Sequence, residues 1–442
     1  MRESRGEKAK KHIGVGLLAH VDAGKTTLAE AMLTEAGVLR KAGRVDHGDT
    51  LLDTHELERR RGITIFAGQA PLTIGDTELM LLDTPGHVDF AAETERMLAV
   101  MDYAVLVISA RDGVQAHTRT LWRLLEKYHK PVFLFVSKMD QAFRSRTELM
   151  VELRRELSGS CVRFDGTEKE RSEELALLHE DLLEQYMREG RIFDAQAADL
   201  MRRRKVFPCY FGSGLKGEGV RALLDGLAAY TTPTEYPAAF GARVYKISYD
   251  PQGNRLTHLR VTGGRLRVKD SIAYAGREEK INQIRLYTGA RFQTKDEAEA
   301  GEFCAVTGLS STAAGAGLGV EASAPAPFLE PVMTYRIVLP PGCDARTVLP
   351  QLGRLAEEDP QLQLAWEETL REIHVSLMGE VQAEILKSLI QERLGLEVEI
   401  DRGRVLYKET LAEPVEGLGH YEPLRHYAEV RLWMEPLPRG SG

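Results

Sequence analysis

The stretch Ala19-His20-Val21-Asp22-Ala23-Gly24-Lys25-Thr26-Thr27 has the residue types of a phosphate-binding loop. In the pattern GxxxxGK[ST], successive backbone N–H groups and the positive end of the following helix hold phosphate oxygens. Gly24, Lys25 and Thr26 fit that pattern, while Ala19 stands where its first glycine would be. Lys25 would sit on the β- and γ-phosphates of a nucleoside triphosphate, and the Thr26 hydroxyl on Mg2+. A match this loose is common by chance, so the reading depends on what else the chain carries.

Residues 81–90, LLDTPGHVDF, run two leucines of a buried strand into Asp83, Thr84, Pro85, Gly86 and His87. Alone, this is a surface turn, because Pro and Gly punctuate turns. Beside a phosphate loop it reads as a phosphate sensor. Asp83 reaches the Mg2+ shell through water, the Gly86 N–H is bare for the γ-phosphate, and His87 orients an attacking water, a task some triphosphatases give to glutamine. Thr64, in ERRRGITI (58–65), is either an ordinary strand residue or a second Mg2+ ligand on a segment ordered by the γ-phosphate.

Base recognition falls to Ser137-Lys138-Met139-Asp140. A carboxylate at Asp140 accepts N1–H and N2–H of guanine. Adenine presents an acceptor at N1 and would leave that carboxylate unpaired, at roughly 1–3 kcal/mol. The stem of Lys138 covers the base, and the loop GSGLKG (212–217), through the backbone around Ser213 and Gly214 with Leu215 next to them, closes over guanine O6. Five loops in this order predict a site for GTP and GDP with Mg2+.

Such loops need a frame. Apolar runs at 13–18, 103–109, 132–137 and 206–213 alternate with helical patterns at 25–36, 114–129 and 217–230, and residues 70–74 and 78–82 form a hairpin around GDT. Strands buried on both faces and separated by helices predict a mostly parallel sheet. The expected fold class is multidomain, α/β plus β plus α+β. A flexible leader covers 1–11, a P-loop GTPase domain 12–235, and an inserted helical subdomain 142–205 within it. Short strands with glycine-rich turns over 236–320 predict a small β-barrel. A linker follows at 321–331. The order strand–helix–strand–strand–helix–strand over 332–408 predicts a ferredoxin-like domain, and 409–442 would begin a further one.

At 442 residues the chain has room for several such domains. No run approaches the ~18 apolar residues of a membrane helix. The four cysteines, Cys161, Cys209, Cys304 and Cys343, are scattered without metal-ligand spacing, which speaks against a disulfide framework and for a reducing cytoplasm. A net charge of −8 argues against a protein that coats DNA. The basic runs ERRR (58–61) and RRRK (202–205) are either local basic faces or merely solvated.

Taken together, AHVDAGKTT, RGITI and LDTPGHVDF resemble the translational GTPases of the elongation factor G superfamily. Two further stretches, ISARDGVQAHTRTL (108–121) and SLMGEVQAEILKSLIQERLGLEVEI (376–400), are most similar to the tetracycline-resistance ribosomal protection proteins. The resemblance runs from about residue 12 to residue 442. It implies that Ala19 is the family's usual variant, that Asp22 helps hold a monovalent cation, and that Val21 and Ile63 form an apolar gate beside His87. It implies a cytoplasmic monomer whose partner is the ribosome, through the sarcin–ricin loop of ribosomal RNA and the small subunit, with no membrane or DNA partner.

Three departures stand out. Ser137 replaces the family's asparagine, Gly214 its alanine, and the chain stops at EPLPRGSG inside what would be the fourth domain, as a truncated longer protein would. The expected function is a ribosome-associated GTPase that dislodges tetracycline. A translocation factor or other paralogue is the alternative in the same class, and a nucleotide-dependent ribosome-binding module with little hydrolysis the alternative in another. His87 and Thr64 weigh against the last.

Overall fold

The computed structural model describes residues 11–438 apart from 45–48, 54, 326, 332, 369, 402–403, 406–409 and 423–426. The first domain opens with β1 (Lys11–Ala19), α1 (Lys25–Glu35) and α2 (Glu56–Arg61), followed by the hairpin β2 (Gly68–Ile74) and β3 (Thr77–Asp83). Then come α3 (Ala91–Leu98), β4 (Tyr103–Ser109), α4 (Ala116–Lys127), β5 (Val132–Ser137), α5 (Arg146–Glu156), β6 (Cys161–Arg163), α6 (Glu168–Ala176), α7 (Glu180–Glu189), α8 (Asp194–Arg202), β7 (Phe207–Phe211) and α9 (Val220–Tyr230). The strands pair in the order β2-β3-β1-β4-β5-β7-β6, with β2 antiparallel to β3 and the other pairs parallel.

Every residue of β4 and β5 is buried, which explains their unbroken apolar runs: helices cover both faces. On one face α1, α8 and α9 contribute Leu28, Met32, Met201, Leu223 and Leu227; on the other, α3, α4 and α5 contribute Leu98, Leu121, Leu125, Leu149 and Leu153.

Lys11, assigned to a flexible leader, is instead the first residue of β1; residues 1–10 lie outside the described part. The segment 142–205, expected as an inserted helical subdomain, carries α5 to α8 between β5 and β7. It also supplies β6, the edge strand beside β7, and its helices share the two cores of the domain. Three residues of strand carry too little periodicity to stand out among helices, although the apolar Cys161 and Val162 sit between SGS and the DG turn.

The second domain is a small β-barrel around one core that includes Val244, Leu259, Ile284 and Val306. Its strands are β8 (Gly241–Tyr249), β9 (Arg255–Gly263), β10 (Arg265–Arg267), β11 (Ser271–Tyr274), β12 (Arg277–Lys280), β13 (Gln283–Thr288), β14 (Arg291–Lys295), β15 (Glu297–Glu299), β16 (Phe303–Thr307) and β17 (Gly317–Gly319). Six form one antiparallel sheet, β14-β13-β16-β9-β8-β17, and β10-β15 and β11-β12 add two ribbons.

The third domain has β18 (Met333–Val338), α10 (Ala345–Glu358), β19 (Ala365–Glu367), β20 (Glu372–Leu377), α11 (Glu380–Leu394), β21 (Glu399–Ile400) and β22 (Arg404–Val405). Its strands align as β19-β20-β18-β21, with β22 also on β18, the ferredoxin-like arrangement. Residues 415–434 hold a separate hairpin, β23 (Val415–Tyr421) with β24 (Ala428–Met434), which exposes Leu418, Leu432 and Trp433. Among the described residues no helix is long and apolar enough to cross a membrane.

The domains are joined by buried polar contacts. Arg260 of β9, 4% exposed, donates to both carboxylate oxygens of Asp102 at 2.9 and 2.6 Å and to the Val100 carbonyl at 2.7 Å. Asp102 also accepts the Gly14 N–H of β1 at 2.8 Å, so the barrel grips the strand that leads into the phosphate loop. The segment expected as a linker is pinned as well. Glu95 accepts the N–H groups of Phe328 and Leu329 at 2.7 and 2.8 Å, and the Lys127 ammonium sits 3.5 Å over the Phe328 ring.

Removing one member of a buried pair leaves the other charged and unsolvated, which costs roughly 3–5 kcal/mol. Arg260→Ala is therefore expected to lower stability to urea by that order. An unchanged unfolding midpoint would show that Asp102 finds water at this interface.

Candidate functional site

β1 ends at Ala19 and the chain turns back through His20–Gly24 into α1. The turn uses left-handed backbone at Asp22 (φ 59°) and at Gly24 (φ 88°), the residue that precedes the helix. Glycine takes this conformation without steric penalty, and aspartate tolerates it better than most residues. No side chain caps α1, which leaves its first N–H groups to a ligand. Thr27 lies in that first turn, and the exposed Asp22 carboxylate stands in the loop before it.

Lys25 is buried, and its Nζ donates to Asp83 Oδ1 at 2.5 Å and to Thr64 Oγ1 at 3.3 Å. Thr26 Oγ1 is 3.2 Å from Thr64 Oγ1. Thus Lys25, Thr26, Thr64 and Asp83, from three separate segments, converge. Asp83 is fully buried, and burial pushes its carboxyl up to about 6 against the opposing pull of Lys25. Its Oδ2 has no hydrogen-bond partner among the described residues. Two hydroxyls and an unsatisfied carboxylate oxygen are the hard oxygen donors that fit Mg2+. Among the described residues no group of three or more His, Cys, Asp or Glu could hold a metal alone, so phosphate oxygens and waters must complete such a shell.

The loop after β3 lies against the phosphate loop. A Cβ at Gly86 would sit 3.4 Å from the Ala19 carbonyl and 3.8 Å from Val21 N. Thr84 donates its hydroxyl to the Leu17 carbonyl at 2.7 Å, so its side chain ties the loop to β1 and leaves nucleotide contact to the backbone. The Pro85 carbonyl accepts from the Thr94 hydroxyl at 3.1 Å. His87 is one-quarter exposed, and its Nδ1 accepts the Asp89 N–H at 3.2 Å.

His20 and His117 of α4 have ring centroids 6.0 Å apart, and His20 Nδ1 is buried without a partner among the described residues. Burial, then the neighbouring His20 and His87, push His117 down to about 4, so it is neutral at physiological pH. Of the expected gate, Ile63 packs in a cluster with Ile65, Phe66, Phe90, Ile385 and Leu389, to which Val21 does not belong.

The base loops meet behind the phosphate loop. Ser137 donates its hydroxyl to the Ala23 carbonyl at 2.5 Å, so the serine in place of asparagine still braces that loop. A Cβ on Gly24 would lie 3.7 Å from Lys138 Cε, which places the Lys138 stem across Gly24. Met139 N–H donates to the Gly212 carbonyl at 3.0 Å and so ties the two base loops together. Asp140 is exposed on a single 3-10 turn, Met139–Gln141. Ser213 pairs its backbone with Glu218, and Leu215 is 57% exposed. An added Cβ at Gly214 would come within 3.0 Å of Leu28 N. Glycine there is more than a neutral exchange for alanine, because it relieves contact with the first turn of α1.

Three buried carboxylates escaped the sequence reading. Asp53 accepts the hydroxyls of Thr64 at 3.1 Å and Thr50 at 2.9 Å. Glu58 accepts the N–H groups of Ile65 at 3.0 Å, Phe66 at 2.9 Å and His55 at 3.0 Å, and burial pushes it up to about 7. Glu30 accepts those of Gly43 and Leu51, and burial raises it too. Together they hold the segment that carries Thr64. A signal did exist for Glu58, which sits three residues after His55 in a capping box with histidine in the serine position.

The basic runs are largely exposed and paired on the surface: Arg61 pairs with Glu384, Arg60 with Glu56, and Arg202 and Arg203 with Asp199, while Arg204 lies over Trp122 and Phe207.

Comparison with known proteins follows the same domain order. Residues 10–233 match the elongation factor Tu GTP binding domain, 239–321 elongation factor G domain 2, and 328–402 elongation factor G domain III. Tetracycline resistance protein TetW of Butyrivibrio fibrisolvens is 34% identical over 457 residues, spanning 98% of this chain and 71% of its own length. The TetO protein of Streptococcus pneumoniae is 32% identical and the TetM protein of Enterococcus faecalis 33%, with the same shares covered. A protein of Thermus thermophilus, solved by crystallography, superposes with a TM-score of 0.78 at 27% identity, over 96% of this chain and 72% of that one.

The buried Glu58 gives a test of the segment's anchor. Between its ordinary value of 4.5 and about 7, the folded chain holds a proton that the unfolded chain has released, so stability falls as pH rises through that window. Glu58→Gln removes the titration. Denaturant midpoints from about pH 5 to about pH 8 should show wild type losing ground to the variant up to about 7 and then running parallel. A gap constant with pH would deny Glu58 this role.

Proposed function

The chain belongs to the translational GTPases of the elongation factor G type, and on that premise we propose that it hydrolyses GTP on the ribosome and there counters tetracycline. The observation that carries the chemistry is the convergence of Lys25, Thr26, Thr64 and Asp83 at the mouth of an uncapped helix. Phosphates fit the N–H groups from Val21 to Thr27, with Lys25 on the β- and γ-phosphates. Thr26 and Thr64 would hold Mg2+ directly and Asp83 through water. Bound there, Mg2+ would neutralise charge on the β- and γ-phosphate oxygens. The Gly86 N–H would meet the γ-phosphate, and His87 would orient the attacking water with Val21 and Ile63 beside it. A monovalent cation near Asp22 belongs to the same reading.

Guanine specificity rests on Asp140, with Lys138, Ser213, Gly214 and Leu215 around the base. The ribosomal partner is supported by the family and by relatives named for tetracycline resistance, of which the chain spans 71%. Contact through the sarcin–ricin loop and the small subunit, action as a monomer, and a cytoplasmic location complete the proposal.

Two substitutions test it. Asp140→Asn should lose the preference for GTP over ATP and favour xanthosine triphosphate, which offers an acceptor where guanine has N2–H2. In competition against labelled GDP, comparable affinity of the wild type for ATP would overturn the assignment.

His87→Ala should bind GTP and ribosomes normally. Its ribosome-stimulated turnover should fall by about 10²–10⁴, the usual worth of a positioned group that acts only in the transition state. Weakened GTP binding with intact turnover of bound nucleotide would make His87 part of a structural turn.

A further inference from the structure

We propose that Asp89 is a positioning residue that couples the docking of α11, in the ferredoxin-like domain, to the catalytic setting of His87. The inference rests on the functional reading above and concerns how that site is regulated.

His87 precedes the single 3-10 turn Val88–Phe90; its Nδ1 accepts the Asp89 backbone N–H at 3.2 Å and lies 3.5 Å from the Asp89 carboxylate Oδ1. Backbone and side chain of one residue therefore fix where the ring stands. That setting depends on where Asp89 is held.

What holds it is another domain. Asp89 is 8% exposed, and its Oδ2 accepts the N–H groups of Val381 at 3.0 Å and Gln382 at 3.3 Å. These are first-turn amides of α11, a 15-residue helix whose own N-cap, Gly379, supplies no side-chain acceptor. A carboxylate at that end also meets the positive pole of the helix. Gly379 has extended backbone (φ −177°), which any residue adopts, so conformation does not call for glycine. Space does: a Cβ there would lie 2.4 Å from Asp89 Oδ2 and 2.6 Å from its Cγ. The cap of α11 has been moved out of its own domain and onto the residue two places after His87.

Other contacts run the same way. Arg61, just before Thr64, pairs with Glu384 of α11 at 2.9 Å. Phe90 packs with Ile385 and Leu389. Arg96 reaches Asp359 at 2.9 Å, and Gln382 Nε2 donates to the other oxygen of that carboxylate at 3.1 Å. α11 therefore touches both segments expected to grip the γ-phosphate and the metal. Undocking it leaves the Asp89 carboxylate without its two amides and releases the turn that fixes His87.

The test uses the whole chain, with Gly379→Ala, Asp89→Ala and Asp89→Asn. Amide hydrogen exchange at Val381 and Gln382 reads the cap without nucleotide; GTP affinity and single-turnover hydrolysis read the site. Gly379→Ala and Asp89→Ala should both speed exchange at these amides and slow turnover of bound GTP by about 2- to 30-fold, the factor by which a lost cap shifts an equilibrium. GTP affinity should stay near wild type. Asp89→Asn keeps the acceptor oxygen and the backbone N–H, so it should restore most of both readouts. Faster exchange with unchanged turnover would overturn the coupling, and unchanged exchange in all three variants would overturn the cap itself. A wild type that turns over no GTP would overturn this inference together with the functional reading, whereas an active wild type indifferent to all three variants would overturn the inference alone.

Discussion

A lysine ammonium and an aspartate carboxylate, both buried, meet at the ends of two neighbouring parallel strands. Burying either ion alone would be costly, and the pair recovers that only if the remaining valences are satisfied. Here they are not fully satisfied: Asp83 Oδ2 has no partner among the described residues, and burial rather than Lys25 decides the direction in which the carboxyl is moved. On the proposed reading, polyanionic phosphate and a hydrated cation would supply what the pair lacks. The rest of the domain can be read as the means of bringing these two groups together. β1 and β3 run in register, Leu17 opposite Asp83. The loops that follow β1, β3, β5 and β7 open at the carboxyl ends of the strands, the edge at which α/β sheets of this kind bind ligands.

The second constraint is that the same elements carry the other domains. Asp102 takes a backbone N–H from β1 and a guanidinium from the barrel, so the strand feeding the phosphate loop is also the strand that seats the barrel. The turn after His87 caps a helix of the ferredoxin-like domain. Between the three lies a cavity of about 500 Å³, with Phe66, Phe90, Tyr245 and Leu386 on its walls. The ferredoxin-like domain thus meets the first through charged and capping contacts and one small apolar cluster, Ile65 and Phe90 with Ile385 and Leu389, beside an open space, so the two domains share no more than a satellite of either core.

Much of this was legible from residue types alone. Gly24-Lys25-Thr26, the Asp83–His87 loop and Ser137–Asp140 announce themselves because phosphate and guanine demand particular groups at fixed spacing, and β4 and β5 because doubly covered strands are continuously apolar. What stayed hidden has a common physical cause. Asp53, Glu58 and Asp89 look like ordinary solvated acids, since burial of a carboxylate leaves no periodic trace. β6 is three residues long, and its place in the sheet is settled by pairing with β7 rather than by its own pattern. Gly379 resembles any loop glycine until the Asp89 carboxylate is seen in the volume its side chain would fill. Of the two readings of the basic runs, the solvated one fits most of their side chains, while the partner of Arg61 lies more than three hundred residues away and left no local trace.

Ser137 shows how far such reasoning carries when residue and partner are both known. The family's asparagine has an amide long enough to serve the base and the phosphate loop together, and a serine hydroxyl has one proton to give. That proton goes to the Ala23 carbonyl, with the Ile108 carbonyl also in reach at 3.3 Å, so the brace on the phosphate loop survives. With that proton committed, the hydroxyl can offer guanine only its acceptor lone pairs. On the proposed reading, recognition of the base then concentrates on Asp140, which sits exposed on a turn anchored by the Met139 N–H to the Gly212 carbonyl. Because water competes for an exposed carboxylate, the discrimination it supplies depends on how completely Lys138 and the 212–217 loop cover the bound base. Gly214 lets that second loop lie against the first turn of α1, where an added Cβ would stand 3.0 Å from Leu28 N. The two departures from the family pattern therefore bear on the same neighbours, the phosphate loop and its helix: Ser137 holds the Ala23 carbonyl, and Gly214 permits close approach to α1.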